Sequence, residues 1–105
     1  MPPGLEVHIF REAGATTVTV VGEVDLLTAV ALNRELETVL EGGPEWLRLD
    51  LREVIFMDTS GVAVLIKARR RALDAGCRFS VKSASPAIQR LLEITGLASL
   101  LNEPS

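Results

Sequence analysis

The chain has 105 residues, the size of one domain built around one hydrophobic core. Hydrophobic residues make up 48% and charged residues 24%, the balance of a soluble globular protein and not of a disordered one. Lys and Arg total 11 against 14 Asp and Glu, and the net charge of −3 speaks against a nucleic-acid partner, which needs a basic excess on one face. A single cysteine, Cys77, excludes an internal disulfide and a cysteine-built zinc site. A single histidine, His8, leaves too few imidazoles for a His-based metal site or a Ser-His-Asp triad. The longest uncharged apolar stretch, Val62 to Ile66, is far too short to cross a bilayer. The opening Met-Pro-Pro-Gly-Leu-Glu has no basic segment followed by an apolar one, so no secretion signal is expected and the chain reads as cytoplasmic.

Val7, Ile9 and Arg11 alternate as a short first strand. Gly14 turns the chain into a second strand, Thr16–Val21, whose β-branched residues suit a pleated surface. A hairpin is the simplest reading of this pair. At Thr28 the period becomes helical: Thr28 is taken as the N-cap, Leu32, Leu36, Val39 and Leu40 form the apolar stripe, and Gly42-Gly43-Pro44 stops the helix. Trp46–Leu51 alternates again, with Leu47, Leu49 and Leu51 on one face, and predicts a central strand. A second helix is expected from about Ser60 to Asp74, turning Val62, Leu65, Ile66 and Leu73 inward. Arg69, Arg70 and Arg71 fall in its C-terminal half, where they could bind phosphate or an acidic partner but read first as a solvated face. Gly76 ends it, Arg78–Lys82 forms the next strand, and Ser85-Pro86 opens a last helix with Ile88, Leu91 and Leu92 inside. The residues after Leu101 read as a short tail.

The order is thus β-β-α-β-α-β-α, one α/β domain over residues 1–105 with a core of about 5–101. Strands separated by helices imply a four-stranded, mostly parallel sheet, with the first strand antiparallel at an edge and three main helices.

Two polar corners stand out. Phe56-Met57-Asp58-Thr59-Ser60-Gly61 places two hydroxyls beside an acid and a glycine between a strand and a helix. A helix N-terminus exposes unpaired amides and partial positive charge, so Asp58, Thr59 or Ser60 could simply cap it, or an outward hydroxyl there could be modified. Gly22-Glu23-Val24-Asp25 follows the second strand, and its loop shares one rim of a parallel sheet with the Thr59 loop. Asp25 either caps the approach to the first helix or belongs to a docking corner. Cys77 reads as a small structural residue, His8 as a surface residue of an edge strand, and Trp46 as a packing residue or a partner anchor.

Together these residues resemble the STAS domain family, in particular the bacterial anti-sigma factor antagonists. Gly22-Glu23-Val24-Asp25 with Thr28-Ala29 is similar to the family's glycine-acid-apolar-aspartate corner, and Met57-Asp58-Thr59-Ser60-Gly61 to its Asp-Ser/Thr-Ser/Thr-Gly phosphorylation motif. Ser85-Pro86-Ala87-Ile88 through Thr95-Gly96-Leu97 resembles its final helix, so the likeness spans nearly the whole chain. The resemblance implies a non-enzymatic binding module that docks, unphosphorylated, on an anti-sigma factor serine/threonine kinase and so frees a sigma factor. It implies Thr59 as the phosphorylated residue, where the family more often has serine, with Ser60 the second choice. Asp25, Glu23, Asp58, Ser60 and Gly61 would form the partner-binding surface. No cofactor or metal is expected; ATP would sit on the partner kinase, and a phosphatase would reset the switch. The alternative is a STAS regulatory or structural subunit of a membrane transporter with no phosphoswitch. A hydrolase using Ser60 is set aside, because His8, the single imidazole, falls on an edge strand.

Overall fold

A computed structural model describes residues 2–101. Strands β1 (Leu5–Glu12) and β2 (Ala15–Val24) form the hairpin; helix α1 (Leu26–Glu41), strand β3 (Trp46–Met57), helix α2 (Thr59–Asp74), strand β4 (Arg78–Ala84) and helix α3 (Pro86–Ile94) follow, with a 3₁₀ turn at Ala98–Leu101. The sheet runs β1-β2-β3-β4 in space. β1 is antiparallel to β2, and β2-β3 and β3-β4 are parallel, so the expected order, mixed sheet and three helices all hold.

The alternation read from Leu47, Leu49 and Leu51 places one face of β3 in the core, where all three have no exposure. Val18 and Val20 of β2 join them, and Leu32 and Leu36 of α1, Leu65 of α2 and Ile88 and Leu92 of α3 close the interior. Each such side chain contributes about 1.5–3 kcal/mol by leaving water. The intervening residues form a polar row across the strands, Thr17 beside Arg48 beside Ser80. On that face the Trp46 indole donates Nε1–H to Ser80 Oγ at 2.9 Å, and the Arg48 and Arg78 guanidiniums lie 5.1 and 4.2 Å from its ring centre. Trp46 therefore packs across β3 and β4.

Several local expectations change. α1 begins at Leu26, and its N-cap is Asp25; Thr28 sits three residues into the helix. Tertiary pairing carries β3 beyond Leu51 to Met57, and β4 beyond Lys82 to Ala84. Ile66 and Leu73 face outward, at 45% and 69% exposure, because the buried stripe of α2 runs through Val62, Leu65, Ala68 and Ala72. The small residues let α2 lie close to its neighbours, so the large ones at other angles are left outside. Arg71 is not simply solvated: it reaches Glu37 of α1 at 3.0 Å. Ser85 precedes α3 as expected with Pro86 in its first turn, but its hydroxyl donates to the Val54 carbonyl at 3.1 Å instead of capping. Cys77 is buried, and burial pushes its thiol pKa up. His8 is exposed beside Glu6. The expected tail after Leu101 lies outside the described residues.

Candidate functional site

Parallel pairing of β2 with β3 brings both strand ends to one rim. Val24 is paired with Met57 and Glu23 with Phe56, so α1 and α2 start side by side. The amide of Asp58 donates to the Val24 carbonyl at 3.1 Å, joining the two polar corners directly.

Each corner is closed by an aspartate. Asp25 Oδ1 accepts from the amides of Leu27 at 3.0 Å and Thr28 at 2.9 Å, while the Asp25 amide donates to Thr28 Oγ1 at 2.9 Å. This is a reciprocal capping box, in which two otherwise unpaired amides find partners. The bonds from the Thr28 amide and hydroxyl hold the Asp25 carboxyl below the usual carboxylate range. The single Thr28 hydroxyl proton is shared between Asp25 Oδ1 at 3.1 Å and the Glu23 carbonyl at 2.8 Å, and the second contact fixes the loop entering the helix. Among the described residues nothing bonds Asp25 Oδ2, so one oxygen of the cap stays available. Asp58 caps α2 more simply, accepting from the Ser60 amide at 2.8 Å.

Two glycines let the corner close this tightly. Gly22 has a φ of +113°, and a β-carbon there would run into the Gly4 carbonyl, which accepts instead from the Glu23 amide at 2.8 Å. A β-carbon on Gly61 would meet the Met57 side chain and lie 2.8 Å from Val24 Cγ1. Gly61 thus permits the first turn of α2 to rest on the ends of β2 and β3.

Thr59 is the first residue of α2 and is exposed. Among the described residues its hydroxyl has no hydrogen-bond partner, whereas the adjacent Asp58 carboxylate caps the helix through Oδ1. Ser60 is half-buried and lines a shallow groove between α1 and α2 with Leu26, Val30, Ala63 and Lys67. Glu23 is exposed on the same rim.

This arrangement has the order and corners of the resemblance drawn above, and residues 8–102 match the family described as Mlab, STAS domain. The chain belongs to the STAS domain family. It is 31% identical to the anti-sigma-B factor antagonist of Listeria monocytogenes, over 87% of this chain and 80% of that one. The crystal structure of an anti-sigma factor antagonist from Mycobacterium paratuberculosis superposes with a TM-score of 0.84 at 29% identity, covering 94% of this chain and 84% of that one. SpoIIAA, a Bacillus cell fate determinant, shares the fold at 18% identity: its unphosphorylated form gives a TM-score of 0.79 over 90% of this chain and 84% of that one. Its phosphorylated form gives 0.73 over 90% and 87%.

The STAS rim brings Glu23, Asp25, Asp58, Thr59, Ser60 and Gly61 into one neighbourhood, although Gly61 is buried and serves packing. Sequence reasoning missed the apolar part of this surface. Leu26, Leu27 and Val30 are exposed at 76%, 69% and 55%, and Phe56 at 48%. The signal was the phase of α1: at 100° per residue, the inward stripe through Leu32 and Leu36 leaves Leu26 and Val30 on another face.

Proposed function

We propose that this STAS domain is an anti-sigma factor antagonist, not an enzyme, that docks in its unphosphorylated state on an anti-sigma factor serine/threonine kinase and is released by phosphorylation of Thr59. The observation that carries the reading is the exposed, unpartnered Thr59 hydroxyl at the first position of α2. It follows the Asp58 cap, on the rim shared with the Asp25 cap, and its neighbour Ser60 lines a groove with the exposed Leu26 and Val30. The antagonist names of the relatives support the same reading.

Leu26, Val30 and Phe56 supply apolar area to a docked partner, and Glu23, Asp25, Asp58 and Ser60 supply its polar contacts. A phosphate on Thr59 adds about −1.5 to −2 charges at neutral pH. Beside Asp58 and Asp25, in a surface that must be dehydrated on docking, that charge is repelled and costly to desolvate. A loss of about 3 kcal/mol weakens binding roughly a hundredfold, enough to switch partners. The fold survives modification, because a helix N-terminus accommodates an anion. ATP belongs to the kinase, and a phosphatase restores the docking form.

The test is incubation with the cognate anti-sigma factor kinase and ATP, with mass spectrometry locating the phosphate. One phosphate on Thr59 is expected, and Thr59→Ala takes up none while still binding the kinase. Labelling of Ser60 instead, or affinity unchanged by the phosphate, overturns the reading.

A further inference from the structure

The outward residues of α2 form a surface that the Thr59 rim does not use. Ile66 and Leu73 are 45% and 69% exposed, and they lie seven residues apart, about 10.5 Å along the helix. Arg69 and Arg70 stand between them, in a groove that ends at Asp74. A second groove adjoins it, shares Arg69 and Leu73, and is lined on its far side by Arg78, Phe79 and Leu100. Among the described residues Arg69 and Arg70 have no ion-pair partner, in contrast to Arg71, which is tied to Glu37, and to Arg78, whose guanidinium is held over the Trp46 ring. A chain of net charge −3 thus sets two free guanidiniums, Arg69 and Arg70, beside the apolar pair Ile66 and Leu73.

We infer that the C-terminal half of α2 is a docking surface for an acidic amphipathic helix of a partner protein. Apolar anchors at i and i+7 of such a helix match Ile66 and Leu73, and acids at i+3 and i+4 fall against Arg69 and Arg70. Arginine favours this occupant, since its planar fork pairs bidentately with carboxylates. A nucleic acid fits poorly: the net charge repels a polyanion, and the strip between the cations is apolar. An anionic membrane fits poorly as well, because such surfaces are marked by clusters of about four to eight basic residues. The inference does not rest on the phosphoswitch, as Leu73 lies 14 residues from Thr59, about 21 Å along α2.

The experiment places the photo-cross-linking residue p-benzoylphenylalanine at position 73 in the native host and sequences the cross-linked peptide. The expected product joins Leu73's position to a segment of another protein that carries acids between apolar residues at helical spacing. Its yield falls at least tenfold in Arg69→Glu/Arg70→Glu, falls less in Arg69→Ala/Arg70→Ala, and is unchanged in Thr59→Ala. Circular dichroism and the unfolding midpoint of each variant match those of the parent, because the altered side chains are exposed. A product with phospholipid, with a second copy of the chain, within the same chain or with a peptide lacking such acids overturns the inference. So does the absence of a product, or a yield indifferent to charge reversal.

Discussion

The amide of Asp58 donates to the carbonyl of Val24 at 3.1 Å, and the residue after Val24 is the aspartate that caps the neighbouring helix. Two helix starts are therefore built on one backbone junction. Pairing of Val24 with Met57 thus sets the Asp25 and Asp58 caps on one rim of the sheet.

Gly61 is where that packing is tightest. Gly61→Ala is expected to destabilise the fold by about 1–3 kcal/mol, the usual cost of overpacking, which outweighs the gain of up to about 1 kcal/mol from alanine's helix propensity. The urea midpoint should drop with the slope unchanged. A midpoint at the parent's value would show that Met57 and Val24 yield freely.

Asp25 links the rim to pH. Its carboxyl is held below the usual range by the Thr28 amide and hydroxyl, so its contribution is complete above the unfolded value near pH 3.9. That contribution is lost as pH falls through the lower folded value. Asp25→Asn keeps an acceptor for the cap but does not titrate, so its stability should decline less than the parent's below about pH 4. Superimposable acid-unfolding curves would refute this. Asp25→Ala should also weaken kinase binding, and an unchanged isotherm would remove Asp25 from the interface.

Asp50 is 4% exposed and is gripped by one neighbour: Arg52 Nε and Nη2 donate to its two carboxylate oxygens at 3.1 and 2.9 Å. Burial pulls its pKa upward, but the Arg52 bonds and charge hold it below the ordinary range. Arg52→Ala should destabilise the fold at neutral pH, because Asp50 Oδ2 loses its donor while Oδ1 keeps only the amide of residue 52. The loss should shrink as acid protonates Asp50 in both proteins, and a loss constant from pH 7 to pH 3 would be inconsistent with it.

Trp46→Phe removes the indole bond to the buried Ser80 hydroxyl and should cost about 0.5–1.5 kcal/mol. A double-mutant cycle with Ser80→Ala isolates that bond from the rest of the packing. Zero coupling energy would mean the two residues stabilise the sheet independently.

Thr59→Glu should leave stability within about 0.5 kcal/mol of the parent, as expected for an exposed position. Kinase affinity should fall, though less than with true phosphate, because one carboxylate carries less charge. Undiminished affinity would contradict the charge switch.

Most of the architecture was legible in periodicity. The β-branched run before Gly22, the leucine alternation after Trp46 and the Ser85-Pro86 start each settled an element, because backbone preference and burial pattern agreed there. The rim's acids and hydroxyls were legible too, since Asp58-Thr59-Ser60-Gly61 falls at a strand-to-helix junction. Tertiary contact alone decided the remainder. Whether Thr28 or Asp25 caps α1 depends on where the Glu23 and Val24 carbonyls lie, and those positions are set by pairing with β3. Ile66 and Leu73 look inward by size, yet close packing selects the alanine side of α2 and leaves both to solvent. Local sequence encodes what a segment prefers, but which face meets the core is a property of its neighbours.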